Sequence, residues 1–255
     1  DSDHYKTFMN PAVTLAFFII RIIMQSHKWR NERTLLMIMS VIMPLTFSTW
    51  VVLLNNFAVE QAAYSGADIG LLHSVREIPG FLAFTVVLVL LIINEQMLAI
   101  LSLAILSIGV ALTGFFPSSI GLLSTTFLMS MGFHYFETIR QSLVLQWIPK
   151  HEAAPFMGKL LAVGSVAALF VYSSTWLLIE QFSVSFKWIY LLAGGFGLIL
   201  VLYTALFFPR FKNPVEQHKK LFLRRRYWLY YILVFLSGAR RQIFMVFASF
   251  LMVEK

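Results

Sequence analysis

PRFKNPVEQHKKLFLRRR, residues 209–226, carries seven lysines and arginines and separates two strongly apolar regions of the chain. Upstream lie six apolar segments, at about 35–58, 69–93, 97–116, 120–147, 157–179 and 186–208, and downstream a seventh runs over 227–253. Each approaches or exceeds the ~20 residues a helix needs to cross a bilayer. Backbone in hydrocarbon has to satisfy its own hydrogen bonds, so segments of this kind are helices. Composition agrees: the 255 residues are 59% hydrophobic and 13% charged, with a mean hydropathy of +0.77, where a soluble domain carries about 25% charged residues. The expected fold is all-α and integral to a membrane, a bundle of about seven transmembrane helices.

Working outward from 209–226, the basic residues give an orientation. HKWRNER (27–33), before the first span, holds Lys28, Arg30 and Arg33, and the loop after the fourth holds Lys150 and Lys159. The loops on the other side hold only Lys187. Cytoplasmic loops carry the excess of Lys and Arg, so the N-terminus and the 209–226 linker are expected in the cytoplasm of a multi-pass protein of the plasma (inner) membrane. The short NEQ connector (94–96) has no positive charge and departs from the rule. Together with FFPSSIG (115–121), it folds successive spans into antiparallel hairpins. The net charge of +8 is thereby accounted for by topology, and no nucleic-acid partner is expected. Without cysteine, disulfides, thiolate metal sites and cysteine catalysis are excluded.

Six spans, a long basic linker and a seventh span describe one bundle completed and another begun. FAVEQ (57–61) aligns with LMVEK (251–255) when Glu60 is placed on Glu254, an offset of 194 residues that fits a six-helix repeat. The expected organisation is an N-terminal cytoplasmic or interfacial segment with a short apolar helix (1–34), a six-helix bundle (35–208), the linker (209–226) and the first helix of a second bundle (227–255). The natural protein is expected to continue to twelve spans.

A charge at mid-bilayer costs a few kcal/mol even on insertion scales, so ionisable residues inside spans face the bundle interior and act there. The second span holds His73, Arg76 and Glu77, the fourth His134, Glu137 and Arg140, and the seventh Arg240 and Arg241, whereas the third and sixth hold none. The third and sixth are expected to face lipid, and the second, fourth and seventh a polar interior. On the fourth, 100° steps gather His134, Glu137, Thr138 and Gln141 into one stripe with Arg140 at its edge. One reading of these charges is a set of interhelical ion pairs, Glu137 with Arg76 or Arg140 with Glu77. Four arginines face two glutamates, however, and two positive charges remain. A net positive cavity would take an anion, because arginine binds carboxylate or phosphate in bidentate fashion. Arg76, Arg140, Arg240 and Arg241 are the candidates for solute binding. Asn55, Asn56 and the Tyr172–Thr175 stretch can add neutral hydrogen-bonding groups or pack helices. Glu77, His134 and Glu137 are candidates for ion pairing or proton coupling.

This topology resembles the major facilitator superfamily of secondary transporters over about residues 35–255. In that family the first, fourth and seventh helices line a central cavity, the second and fifth border it, and the third and sixth face lipid. ETIRQSLVLQWIPKHEAAPFMGK (137–159) is similar to the family's passage from the fourth helix to the fifth. Two family patterns are missing. INEQM (93–97) stands where a Gly-x-x-x-Asp-Arg-x-Gly-Arg-Arg/Lys signature is expected, and GKLLAVGSVAAL (158–169) lacks the Gly-x-x-x-Gly-Pro-x-x-Gly of drug/proton antiporters. The resemblance implies alternating access, two halves rocking about a midplane site; taken with the positive interior, the expected function is a monomeric secondary transporter of a small organic anion, with proton coupling through His134, Glu77 or Glu137 as a hypothesis. It implies no enzyme activity and no cofactor.

Three further signals carry less. NPAVTLAFF (10–18) contains the Asn-Pro-Ala box of aquaporins once; Asn10 as cap and Pro11 as first residue of a short helix to about Gln25 is the simpler reading, with an added span or a pore element as alternatives. HYFE (134–137) spaces His and Glu as helical metal sites do, without the second pair that such sites need. KKLFLRRR (219–226) is a topology signal that also suits anionic lipid head groups. Two readings of other classes stay open: an integral membrane enzyme acting on lipid or a lipid-linked substrate, and a transporter-like receptor that moves nothing.

Overall fold

The computed structural model describes residues 29–212, 225–233 and 236. Six long helices fill it: α1 Glu32–Ala62, α2 Gly66–Phe81, α3 Glu95–Thr113, α4 Ser119–Trp147, α5 Lys150–Glu180 and α6 Phe186–Phe207. There is no strand among the described residues. A 3-10 turn, Leu82–Thr85, and a further helical turn, Val86–Val89, prolong α2. With the prolongation of α2 counted, the expected segments end within seven residues of these limits, the largest difference being the start of α5. A 3-10 turn at Arg225–Tyr227 leads into helical residues at 228–233. The 8–25 helix, positions 219–224, Arg240, Arg241 and most of the seventh span lie outside the described residues.

Local chemistry sets the helix starts. The Asn31 side chain accepts the Thr34 N–H at 2.9 Å, and Asn94 does the same for Met97 at 2.9 Å. Ser65 and Asp68 form a capping box at α2, and Ser118 accepts the Gly121 N–H at 3.2 Å. Each satisfies a backbone donor that a helix leaves orphaned in its first turn. α1 ends at Ala63, whose φ of 52° turns the chain back toward α2.

Five helices, α1, α2 with its prolongation, α3, α5 and α6, are long and apolar enough to cross a membrane. α4 is long enough, at 29 residues, but its serines, threonines and intramembrane charges lower its hydropathy below theirs. Among the described residues the expected count of spans therefore falls by one on composition alone, while α4 remains the central partner of the bundle. It packs most extensively on α3 and also on α2; α1 packs on α5 and α6, and α3 on α6.

The arrangement corrects one expectation. α3 is not an outer helix: 61% of its apolar stretch is buried, against 17% for α2 and for α5. The reason is close approach through small residues. A β-carbon on Gly132 of α4 would run into the backbone of Leu106 and Ser102 on α3, and one on Gly194 of α6 would lie 2.5 Å from the backbone of Ala111 and Ser107. Lipid tails are as apolar as leucine, so helices in a membrane associate through such packing rather than by hiding hydrophobic surface. α6 conforms better to the expectation. It buries Ile189, Tyr190, Gly194 and Val201 and leaves Trp188, Leu192, Ile199 and Leu206 exposed.

Antiparallel hairpins put the starts of α1, α3 and α5 at the same end as the ends of α2, α4 and α6. Contacts across that end confirm it. Arg33 pairs with Glu152, joining the first turns of α1 and α5. The Gln96 side chain donates to the Pro209 carbonyl and accepts the Phe211 N–H, both at 2.9 Å. Trp147 meets Phe211 with ring centroids 5.5 Å apart. Arg30, Arg33, Lys150, Arg210 and Lys212 all belong to this basic end, and only Lys187 to the other. NEQ, the connector without a positive charge, thus serves as a dock: Asn94 caps α3, and Gln96 ties down the residues that follow α6.

Candidate functional site

α2 and α4 both run toward the basic end, and they meet near the middle of their lengths. Three contacts set their register. The Ser130 hydroxyl of α4 donates to the Arg76 carbonyl of α2. The His134 imidazole lies where a β-carbon on Gly80 would stand, 2.8 Å from its Cε1 and 2.9 Å from its Nε2. The Thr85 and Tyr135 hydroxyls share a 2.6 Å hydrogen bond. Pro79 lacks an N–H and its ring disturbs the preceding turn; the 3-10 stretch Leu82–Thr85 begins three residues later, inside the reach of α4. α2 is therefore pinned to α4 on both sides of a break, with the imidazole in the space a glycine leaves.

The charged groups of α2 sit at this meeting point. Arg76 donates to Glu77 through Nε at 3.1 Å and Nη2 at 2.8 Å. Arg140 donates to Glu137 at 2.8 Å. Both pairs lie within single helices, which corrects the interhelical pairing expected from the sequence. A side chain as long as arginine can bend along its own helix to a neighbouring carboxylate, so neither arginine has to reach across. His134 has Glu77 and Arg76 as its charged neighbours. Glu137 and Arg140 follow His134 by one to two turns toward the basic end, a drop of about 5–9 Å at 1.5 Å per residue. The site has two layers: Arg76, Glu77 and His134 at mid-span, and Glu137 with Arg140 below.

Rings close it on the side of α1. Phe47 stacks on Phe133 with centroids 4.2 Å apart, Trp50 lies edge-on to His73 at 6.4 Å, and the Arg76 guanidinium is 6.0 Å from the Trp50 ring. Trp50 Nε1, His73 Nδ1 and Glu137 Oε1 are buried and make no hydrogen bond among the described residues. Such groups are costly to bury unless something completes them. Thr138 and Gln141 are exposed on the uncovered face of α4, so the polar stripe on that helix opens outward from the bundle.

Of the expected site residues, Arg76, Glu77 and His134 come together, with Glu137 and Arg140 adjacent. Asn55 and Asn56 lie about 8 Å beyond Trp50 along α1, away from the basic end. Asn55 Oδ1 is likewise buried without a hydrogen bond. On α5, Thr175 is buried and packs the helix, while Tyr172 and Ser173 border an open recess with Trp176 and Leu177. Arg240 and Arg241 lie outside the described residues. No three His, Asp or Glu side chains among the described residues converge as metal ligands. Sequence reasoning missed Trp50, Gly80 and Ser130. The Pro79–Gly80 pair in mid-span and a serine one helical turn before His134 were the available signals.

In comparison with known proteins, the chain matches no family model and no curated protein.

Proposed function

We propose that this chain is part of a secondary active transporter, of the major facilitator type, that carries a small organic anion by alternating access. The observation that carries this reading is the mid-span meeting of Arg76 and Glu77 with His134 inside an otherwise mainly uncharged bundle. Intramembrane charges are retained where they line a path or a site. α2 and α5 leave most of their apolar surface uncovered, which supports a second bundle closing over the polar stripe of α4.

Charge arithmetic then locates the preference for anions. Arg76 and Arg140 each have a carboxylate on their own helix, so the described site is balanced, and the surplus of two positive charges rests on Arg240 and Arg241. Arg240 and Arg241 supply the surplus charge that a solute anion meets. His134, Glu77 and Glu137 are the groups through which proton movement couples to rocking. The basic end faces the cytoplasm of the plasma (inner) membrane by the positive-inside rule, the protein acts as a monomer, and no chemistry is done on the solute.

The test is a solute screen by thermal stability, followed by flux into proteoliposomes. A ligand at about 100 times its Kd stabilises the state it binds by ~2.7 kcal/mol. Stabilisation by one family of carboxylates or phosphates, lost in Arg240→Ala and Arg140→Ala, with matching flux, supports the reading. Turnover of a lipid substrate without flux would replace it with an enzyme, and binding without flux with a receptor.

A further inference from the structure

Arg30 differs from Arg33, Arg76 and Arg140, the arginines of the long helices. It precedes α1 at the basic end, and no carboxylate pairs with it among the described residues, whereas Arg33, Arg76 and Arg140 each have one. Its Nε is buried without a hydrogen bond. What surrounds it is aromatic. The guanidinium carbon is 6.0 Å from the Trp29 ring and 5.7 Å from the Phe207 ring. Trp29 in turn stacks on Tyr203 at 6.4 Å and meets Phe208 edge-on at 5.9 Å. Two rings, one just before α1 and one at the end of α6, thus flank the cation, and two more brace Trp29, at the level where the helices leave the apolar layer.

A guanidinium has five donors and no acceptor, and ring faces attract its charge without satisfying those donors. No carboxylate among the described residues meets them, and with Nε buried the two Nη groups are the donors that an outside acceptor can reach. The outside here is not open water on every side, because Leu206 is 76% and Phe207 49% exposed on the outward face of α6, the face that turns from the bundle. Acyl chains cover such a face, and aromatic residues at this depth mark the head-group layer. The acceptor that combines two oxygens in the plane of a guanidinium with two acyl chains beside Leu206 is the phosphodiester of a phospholipid. Arg210 and Lys212, three and five residues past Phe207, are exposed and add positive charge at the same end of the bundle.

We propose that Arg30, framed by Trp29 and Phe207, is a binding site for the phosphate of an anionic phospholipid in the leaflet at the basic end, distinct from the 219–226 run. A guanidinium at this depth with no acceptor among the described residues takes the phosphate in bidentate form through its Nη groups, and the α6 face takes the chains. The site does not depend on what the protein transports.

The experiment uses the purified chain in detergent, titrated with phosphatidylglycerol, with phosphatidylcholine and with inorganic phosphate, reading Tm. Phosphatidylglycerol raises Tm at lower concentration than phosphatidylcholine, and inorganic phosphate leaves it unchanged. In Arg30→Gln the preference for phosphatidylglycerol disappears, its half-effect shifting about tenfold, the cost of one strong charged contact. Arg30→Lys keeps the preference only in part, since an ammonium cannot bind in bidentate fashion. A merely structural arginine would lower Tm in both lipids alike and leave their difference intact, and that result overturns the proposal. So does an equal response to the two lipids in the unaltered chain, or a full response to inorganic phosphate. Should Arg30→Gln fail to fold, Trp29 fluorescence decides: quenching by brominated phosphatidylglycerol, measured as the part lost in Trp29→Phe, exceeds quenching by brominated phosphatidylcholine. Equal quenching refutes the site.

Discussion

Replacing Gly80 by alanine tests whether the position of His134 matters to function rather than to folding. The added methyl would stand 2.8 Å from Cε1 and 2.9 Å from Nε2 of the imidazole. Carbon atoms settle at ~3.5–4.0 Å, so the ring has to move by about 0.7 Å or turn out of its rotamer. An off-rotamer side chain costs ~0.5–1.5 kcal/mol. Alanine in place of helical glycine returns ~0.5–1 kcal/mol. The two nearly cancel, and Tm is expected within about 3 °C of the unaltered chain at roughly 2–4 °C per kcal/mol. Solute recognition should fare worse. If His134 makes one charge-assisted hydrogen bond to solute or relay, its loss removes ~1.5–3 kcal/mol, a weakening of about tenfold or more.

Gly132→Ala is the counterpart with the opposite profile. Its β-carbon meets the α3 backbone at Leu106 and Ser102, which no rotamer change can clear. Over-packing of this kind costs ~1–3 kcal/mol, less the helical gain, so Tm falls by up to roughly 10 °C. The surviving folded protein keeps its affinity. The assay is Tm with and without solute, plus flux, on both variants and on Gly80→Ala in a His134→Ala background. In that background the added methyl should have no further effect, because the two sites act through one contact. Unchanged flux and affinity in Gly80→Ala would refute the reasoning, and so would an additive loss in the double variant.

Ser130→Ala removes the donor to the Arg76 carbonyl, an interhelical bond inside the bundle. Such bonds average ~0.6 kcal/mol and reach ~1.7, so a small drop in Tm is expected, together with faster proteolysis near the 82–85 break of α2; an unchanged cleavage pattern would show that the contact does not pin α2. Gln96→Ala strips partners from the Pro209 carbonyl and the Phe211 N–H, at ~1–3 kcal/mol for groups left unsatisfied. Gln96→Glu keeps one acceptor and loses the donor, so it should fall between alanine and the unaltered chain in Tm, and an effect of glutamate equal to that of alanine would argue against the two-bond dock. Glu137→Gln leaves Arg140 without its carboxylate in a partly buried setting and is expected to cost more stability than Glu137→Gln with Arg140→Gln together; a double variant less stable than the single one would show that the pair is not local. Arg33→Gln, by contrast, breaks an exposed pair and should change Tm by no more than ~1 kcal/mol allows.

The spans were legible because hydropathy reads burial away from water, and water is what the outer helices and the inner ones both avoid. For the same reason hydropathy misplaced α3. Lipid and a neighbouring helix are equally apolar surroundings, and an uncharged helix is at home in either. What separates the two cases is size: Gly132 and Gly194 mark where backbones touch, and α2 and α5, richer in large exposed residues such as Phe81, Phe84, Phe170 and Trp176, are where the described bundle is uncovered.

Charge was legible in number and not in pairing. Glu137 and Arg140 are three residues apart, a spacing at which helical side chains meet, so their pairing within α4 was available from the spacing alone. Arg76 and Glu77 are adjacent, where ideal helical directions diverge by 100°, and only the length and bend of the arginine side chain bring them together. Once both pairs are internal, the ion pairs no longer hold α2 to α4. That work falls to Ser130, to the Thr85–Tyr135 hydroxyl pair and to the imidazole packed on Gly80. The two ion pairs are then not what joins α2 to α4, although Arg76 and Glu77 still face His134 across the two helices. The contacts that hold the two helices and the charged pairs are thus largely separate sets of residues among those described.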